Sequence, residues 1–279
     1  MRIRKKHRNQ YARAGDVWVR NPCTKATPHD INNMARGDEA MFLRNEIANV
    51  KRQHMLFGDF QWQNIVIVSD GYDFKRKQEI LAAIPNKNMK IICVNRALAK
   101  WHMLGSSELQ RGISLYVTNN PHIECLSYLP KHGYWPNLLA SSRTNSDFID
   151  KYEGELFFYE PSKNENYSAP FESELQLDDY RNSICASISL ACRLKAQKVL
   201  LFCCDDSFED ERPAAIQLDN GLWSYPQQIK AQSIIDAQLG WLAQSEIEVR
   251  SHSSGANYKN AAYIQAEDIM QFFSQETNE

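Results

Sequence analysis

The stretch from residue 181 to residue 208 constrains the fold of this chain more than any other. It opens with the polar pair Asn182-Ser183, which suits a helix start, and continues as an apolar helical pattern to Leu194. A near-continuous apolar run, Val199 to Cys204, follows and stops at the carboxylate pair Asp205-Asp206. Such a run is typical of a central strand of a parallel sheet, which is buried on both faces. Carboxylates just past its carboxyl end lie where open α/β sheets bind ligands.

Strands and helices alternate along the rest of the chain. The apolar runs predict strands at 64–69, 90–94, 113–118, 155–159, 199–204 and 247–250. Helical patterns lie between or after them, at 74–84, 97–103, 184–194, 226–243 and 265–273. This alternation predicts an α/β fold, with a Rossmann-like, mostly parallel sheet and helices on both faces.

The first 60 residues form an N-terminal extension to the single Rossmann-like domain predicted at 61–279. Residues 1–20 are a basic arm with one acidic residue, Asp16. We interpret the arm as a solvated tail, with a phosphate- or nucleic-acid-binding segment as the alternative. A helical pattern then begins near Asp30 and continues to about Met55, so the extension is expected to pack a helix on the main domain.

Composition excludes several classes of protein. The formal net charge of -2 gives no general attraction to nucleic acid or membranes, so nucleic acid is not expected as a partner beyond the hint in the basic arm. No apolar run is long enough to span a membrane, and no apolar segment typical of a signal peptide follows the basic start. The seven cysteines contain no CxxC spacing, which favours a reducing, cytoplasmic location.

Polar residues follow the predicted strands at the point where each one ends. They are Asp70-Gly71-Tyr72-Asp73, Asn95-Arg96, Asn119-Asn120, Asp205-Asp206 and the segment 251–255, which contains His252, Ser254 and Gly255. Turn and capping chemistry explains any one of these groups. Their recurrence favours a shared ligand crevice, because the carboxyl ends of parallel strands meet at one edge of the sheet.

Six short motifs in this order resemble a known family. They are DGYDF (70–74), VNRAL (94–98), VTNNP (117–121), NSICASISLA (182–191), CCDDSF (203–208) and SHSSG (251–255). The pattern resembles the 6-hydroxymethylpterin diphosphokinase family of MptE-like type. Motility-associated glycosyltransferases share its domain, and one family of bacterial sialyltransferases has a related architecture. The resemblance covers about residues 64–269. Asn95 and Asn120 stand where the family usually has acids.

The resemblance and the strand ends together imply a set of site residues. Asp205, Arg96 and His252 are the expected catalytic residues: Arg96 would neutralise developing charge, and His252 would act as base for a hydroxyl. Asp205 and Asp206 are the expected Mg²⁺ ligands. The expected nucleotide- or substrate-binding residues are Asp70, Gly71, Tyr72, Asp73, Asn95, Asn119, Asn120, Ser183, Ser254 and Gly255.

Three functions are compatible with these residues. The leading hypothesis is a nucleotide-dependent transferase that moves a diphosphoryl group from ATP to a hydroxyl acceptor with Mg²⁺. The second is a glycosyltransferase with a nucleotide-sugar donor, which would use the same crevice. The third is a non-catalytic binding protein on the same fold. The expected partners are a nucleotide and a small-molecule acceptor, and a homo-oligomer stays open.

Overall fold

The computed structural model describes eleven parts of the chain, and every structural statement below concerns them. They are residues 11–14, 17–20, 39–49, 61–72, 74, 80, 89–103, 112–130, 133–162, 175–211 and 213–274. Asp73 and most of the helix predicted at 74–84 lie outside these residues, as do the first ten residues of the basic arm.

One nine-stranded sheet organises the described chain. Its strands are β3 (Asn64–Val68), β4 (Met89–Val94), β5 (Ile113–Thr118), β6 (Leu138–Ser141), β7 (Leu156–Pro161), β8 (Gln176–Leu177), β9 (Lys198–Phe202), β12 (Glu248–His252) and β13 (Ala262–Tyr263). The spatial order is β13-β12-β9-β3-β4-β5-β6-β7-β8, and all eight neighbouring pairs are parallel. The predicted Rossmann-like α/β fold is therefore confirmed.

The strand order reverses between β3 and β9. From β3 the chain moves strand by strand to β8, then returns to place β9 on the other side of β3. In open α/β sheets this reversal opens a crevice outside the carboxyl ends of the two strands. The turns after β3 and β9 carry Asp70 and Asp205, so these two predicted site residues lie at the reversal.

Helices cover both faces of the sheet. The described helices are α1 (Glu39–Asn49), α2 (Ala97–Met103), α3 (Ser146–Asp150), α4 (Ser183–Arg193), α5 (Pro226–Gln244) and α6 (Ile269–Ser274), with 3₁₀ turns at Ile123–Tyr128 and Ala266–Asp268. One apolar cluster joins α4 and α5 to the sheet. The other joins α2, α3 and α6 to it. The strands β3 and β9 are buried on both sides, as their apolar runs predict.

Two short hairpins lie outside the main sheet. β1 (Tyr11–Ala14) pairs with β2 (Val17–Arg20), and this hairpin lies against α5. Residues 11–14 and 17–20 of the predicted tail therefore form a hairpin, and Val17-Trp18-Val19 after Gly15-Asp16 is a sequence signal for it that the basic charges obscure. β10 (Ile216–Gln217) pairs with β11 (Trp223–Ser224) between β9 and α5. Within the described residues, no helix is long and apolar enough to cross a membrane.

Candidate functional site

Asp205 holds three turns together at the strand reversal. Its side chain is fully buried, and its carboxylate accepts four hydrogen bonds. The Tyr72 N–H donates at 2.8 Å, the Ser207 N–H at 3.1 Å, the Ser207 hydroxyl at 2.7 Å and the Gly255 N–H at 3.2 Å. Burial raises the pKa of Asp205, and these donors oppose the rise. We name this group the Asp205 clamp, because it ties the turns after β3, β9 and β12 to one carboxylate.

Gly71 and Gly255 allow the turns of the clamp to pack closely around Asp205. A Cβ on Gly71 would lie 2.4 Å from Asp205 Oδ1 and 2.5 Å from the carbonyl oxygen of Cys203. A Cβ on Gly255 would lie 1.8 Å from the Ser207 hydroxyl. The Gly71 N–H already donates to the Cys203 carbonyl at 2.9 Å, and that of Tyr72 donates to Asp205. The N–H groups of Gly71 and Tyr72 therefore already have acceptors within the protein, and the expected role of this turn in nucleotide or substrate binding stays a prediction.

A cleft of about 650 Å³, which we name the large chamber, opens beside the clamp. Asp70 accepts ion pairs there from Arg96 Nε and Lys100 Nζ, each at 3.1 Å. Lys100 also donates to the Asp70 carbonyl at 2.9 Å. Asp206 and Arg181 line the same chamber. Three cations and two carboxylates thus meet at the strand reversal.

Asp206 differs from its neighbour because its side chain lines the large chamber. It is half-buried, and its backbone is left-handed, with φ at 49°. Burial, together with the nearby charges of Asp70 and Asp205, raises the pKa of Asp206 to about 7, although Arg96 and Lys100 lower it. The charge of this carboxylate therefore changes near neutral pH.

Backbone strain concentrates around the crevice. Of the eight non-glycine residues with positive φ among the described residues, five lie here: Asn95, Tyr180, Arg181, Cys203 and Asp206. Tyr180 and Arg181 are consecutive, at 44° and 61°. Left-handed non-glycine residues cost energy and cluster at functional sites. The strain marks the loops before α4 and after β9 as parts of the site.

A polar network continues from the large chamber along the carboxyl edge of the sheet. Ser183, the first residue of α4, lies 3.0 Å from Asn95 Oδ1 and 2.8 Å from Asn119 Oδ1, and it accepts the Asn119 N–H at 3.2 Å. Asn119 Nδ2 donates to Asp179 at 3.4 Å, and the Tyr159 hydroxyl donates to the same carboxylate at 3.1 Å. Burial raises the pKa of Asp179. The structure brings three predicted site residues together here.

A second cleft of about 220 Å³, the small chamber, lies over this network. Asn119, Asn120 and Asp179 line it from the sheet side. Phe42 of α1 lines it from the extension, with the guanidinium carbons of Arg181 and Arg143 at 4.6 Å and 5.5 Å from its ring centre. The small chamber therefore has one wall from α1, which precedes the strands of the nine-stranded sheet along the chain.

His252 takes a different place from the one its sequence position suggests. β12 continues through it, so its ring packs between Phe202 and Tyr263, at 5.3 Å and 5.5 Å. Its Nδ1 lies 2.8 Å from the carbonyl oxygen of Ile264. His252 is buried and lines neither chamber. Its role as base stays a prediction that the geometry does not favour. Ser254 is exposed, next to the clamp residue Gly255.

The carboxylates present fit Mg²⁺ poorly. Asp205 already accepts four hydrogen bonds, and Asp70 is held by two cations. No group of three or more potential metal-ligating side chains occurs among the described residues. Mg²⁺ is usually held by one or two carboxylates together with phosphate oxygens, and Asp206 alone is placed for that here. The predicted ligand pair is therefore split, with one member turned into the clamp.

Several residues of the crevice were missed from the sequence. Lys100 is four residues after Arg96, and this spacing on a helix could have placed both cations on one face. Arg181 directly precedes the predicted helix cap, but its chamber position depends on two left-handed residues that no pattern announced. Phe42 and the aromatic pair Phe208 and Tyr225 reach the chambers from distant segments.

Comparisons with known proteins give one informative match. No protein-family model matches the chain, and no curated protein matches its sequence. Among solved structures, the chain is similar to the MAf glycosyltransferase from Magnetospirillum magneticum AMB-1, with a TM-score of 0.64 and 15% sequence identity. The match covers 83% of this chain and 39% of that one, so this chain spans about two fifths of the neighbour's length. The likeness supports, at the level of the fold, the resemblance to the domain of motility-associated glycosyltransferases.

Proposed function

We propose that this chain is a glycosyltransferase that uses a nucleotide-sugar donor. The observation that carries the proposal is the large chamber, where Arg96, Lys100 and Arg181 line a cleft at the strand reversal. Cations fixed at such a place attract a phosphate and stabilise the charge that develops on it as it leaves. The fold neighbour, which is described as a glycosyltransferase, supports the same class of reaction.

The residues favour this donor over ATP in a magnesium-dependent diphosphoryl transfer. Transfer from a nucleoside triphosphate usually needs a metal that bridges phosphate oxygens, and the split between Asp205 and Asp206 leaves a weak set of ligands. Lysine and arginine side chains can instead neutralise the nucleotide that leaves a sugar. We therefore place the glycosyltransferase hypothesis ahead of the diphosphokinase that led the sequence interpretation.

The proposed reaction assigns roles to the chamber residues. An acceptor hydroxyl attacks the anomeric carbon, and the bond between that carbon and the donor phosphate oxygen breaks with its electron pair on the phosphate. Arg96 and Lys100 lie beside the phosphate. Asp206 is the chamber carboxylate placed to accept the proton of the hydroxyl, since His252 lines neither chamber.

Donor turnover tests the proposal. Purified chain would be incubated with UDP-glucose, GDP-mannose, CMP-N-acetylneuraminate and, separately, ATP, and the released nucleotide would be measured with and without EDTA. We expect slow release from at least one nucleotide sugar, resistant to EDTA and lost in Arg96→Ala. The matched control is Arg193→Ala, which removes an exposed arginine at the far end of α4. Release from ATP alone, dependent on Mg²⁺, would restore the diphosphokinase hypothesis.

A further inference from the structure

The two chambers are unequal parts of one crevice. They share Asn95 and Arg181 as lining residues, so they meet at the ends of β4 and of the loop before α4. Pockets for whole ligands usually measure roughly 300–1,000 Å³. The large chamber, at about 650 Å³, falls within this range, whereas the small chamber, at about 220 Å³, has room for only part of a ligand.

The large chamber offers the two surfaces that a nucleoside phosphate needs. Arg96 and Lys100 supply positive charge, and the rings of Phe208 and Tyr225, 5.3 Å apart, supply an aromatic wall for a base. Phe208 is held by backbone hydrogen bonds to Trp223 at 2.8 Å and 3.0 Å, so the hairpin β10–β11 fixes this wall. Gln228 accepts the Tyr225 N–H through its Oε1 at 3.1 Å, so its amide nitrogen can donate a hydrogen bond to a ligand.

The small chamber offers amides that suit sugar hydroxyls. A side-chain amide has two donor hydrogens and two acceptor sites. Asn119 uses one donor toward Asp179 and one acceptor site toward Ser183. Asn120 uses one donor toward the Tyr128 hydroxyl and one acceptor site toward a backbone N–H. Each amide thus keeps one donor and one acceptor site, which is the combination that a hydroxyl group matches.

The helix α1 is fixed to this chamber by buried polar contacts. Asn45 donates to the carbonyls of Pro121 and Arg143, at 3.2 Å and 3.0 Å. Asn49 donates to the carbonyls of residues 142 and 144, both at 2.9 Å. Glu46, which is fully buried, pairs with Arg143 at 2.7 Å. These directed contacts hold α1 in one position on the loops after β5 and β6, and so they fix Phe42 at the chamber wall.

We infer that the small chamber binds the transferred sugar of the donor, with Phe42 of α1 as a specificity-determining residue. The inference rests on the proposed function and adds an orientation to it. The nucleoside phosphate occupies the large chamber, the sugar ring occupies the small one, and the bond that breaks lies near Asn95 and Arg181, where the chambers meet. The N-terminal extension then contributes to sugar choice, although the phosphate site belongs to the Rossmann-like domain.

Paired binding measurements test this orientation. Isothermal titration would compare UDP with UDP-glucose, GDP with GDP-mannose, and CMP with CMP-N-acetylneuraminate, for the wild type, Phe42→Ala and Asn120→Ala. We expect the wild type to bind at least one nucleotide sugar more tightly than its nucleotide. Both variants should weaken the sugar conjugate by about tenfold, the scale of one lost aromatic or polar anchor, and change nucleotide affinity less than about twofold.

The control is Leu43→Ala, since Leu43 is the neighbour of Phe42 on the exposed side of α1, at 39% exposure. It should leave both affinities unchanged. Circular dichroism of each variant separates a lost contact from lost folding. A wild type that binds a nucleotide but none of its sugar conjugates more tightly would overturn the inference and keep nucleotide binding intact. So would folded Phe42→Ala and Asn120→Ala proteins that retain the full gain from the sugar. Failure to bind any nucleotide would instead overturn the proposed function.

Discussion

The Asp205 clamp and the charged wall of the large chamber, which consists of Asp70, Asp206, Arg96 and Lys100, meet at the peptide bond between Asp205 and Asp206. The two groups are nevertheless held by different kinds of contact. In the clamp, a fully buried carboxylate accepts hydrogen bonds from uncharged donors of three turns. In the wall, half-buried Asp206 and ion-paired Asp70 lie among exposed cations. Two neighbouring acids at one strand end therefore have different roles: Asp205 holds the turns that form the crevice, and Asp206 faces the crevice.

The largest effect is expected from a methyl group inside the clamp. Gly71→Ala would place a Cβ 2.5 Å from the backbone oxygen of Cys203, which cannot move without disturbing β9. We expect a loss of about 3 kcal/mol in the free energy of unfolding, at the upper end for overpacking. Urea denaturation measures it. Gly221→Ala is the control, because no atom lies within 4 Å of its Cβ and only its φ of 82° adds strain, worth about 1 kcal/mol. Equal losses in both variants would contradict the packing of the clamp.

A smaller loss is expected from Asp205→Asn. The amide keeps the shape of the carboxylate but must turn its NH₂ group toward one set of donors, either the Tyr72 N–H at Oδ1 or the Gly255 N–H at Oδ2. Leaving buried donors unmatched should cost about 2 kcal/mol in the free energy of unfolding. Thermal unfolding of Asp205→Asn and Asp206→Asn, measured side by side at pH 7, checks the comparison. A folded, equally stable Asp205→Asn protein with no turnover would make Asp205 catalytic, as the sequence interpretation had it.

A substitution in the charged wall should weaken nucleotide binding and hardly change the free energy of unfolding. Arg96→Ala removes a cation that is 57% exposed and leaves Lys100 to pair with Asp70. Because surface ion pairs contribute little, the free energy of unfolding should change by less than about 1 kcal/mol. The nucleotide dissociation constant should rise about tenfold, as expected for one charge-assisted hydrogen bond. Titration of both proteins with UDP, GDP and CMP provides the measurement. A large loss of stability with unchanged nucleotide affinity would show that Arg96 has a structural role and does not bind the nucleotide.

The smallest effect is the pH dependence of Asp206. Its pKa is about 7 in the folded chain and roughly 3.9 when unfolded, so between these values the folded state binds more protons. Stability from this group is therefore lost as the pH rises from about 4 through 7. Asp206→Asn lacks the loss, so its melting temperature should gain on that of the wild type by about 2–4 °C between pH 6 and pH 7, where a folded pKa of about 7 gives a difference of about 1 kcal/mol. A constant difference across this range would contradict the raised pKa.

The sequence predicted the sheet better than the site, and the reason is physical. Buried runs such as the predicted strands 64–69 and 199–204 are marked by continuous apolar character, so the strands could be located from the sequence, whereas the order in which they pair could not. β6 was not predicted because its four residues, shortly after Pro136, are too few to show a strand pattern of hydrophobicity. β8 was not predicted because it has only two residues. The polar residues at the strand ends could also be identified from the sequence. The direction in which their side chains point could not, because it depends on left-handed residues such as Cys203, which break the alternation along the strand.

The direction of Asp205 is the clearest example of this limit. Alternation along β9 leaves open which of the two aspartates faces the crevice, and it is decided by Ser207 of the same turn together with Tyr72 and Gly255 of two turns distant in sequence. Arg96 was found because it follows a strand directly. Phe42 was not, because its contacts with Arg143 and Arg181 join segments about 100 residues or more apart.

Isothermal titration of the purified chain with UDP, GDP and CMP, each in EDTA and in excess Mg²⁺, tests the central claim most directly. The claim is that protein cations of the large chamber, rather than a metal on Asp205 and Asp206, bind the nucleotide. We predict at least one nucleotide with the same affinity in both buffers, weakened by Arg96→Ala and unaffected by Arg193→Ala. Binding that appears only with Mg²⁺ and is abolished in a folded Asp205→Asn protein would contradict the account.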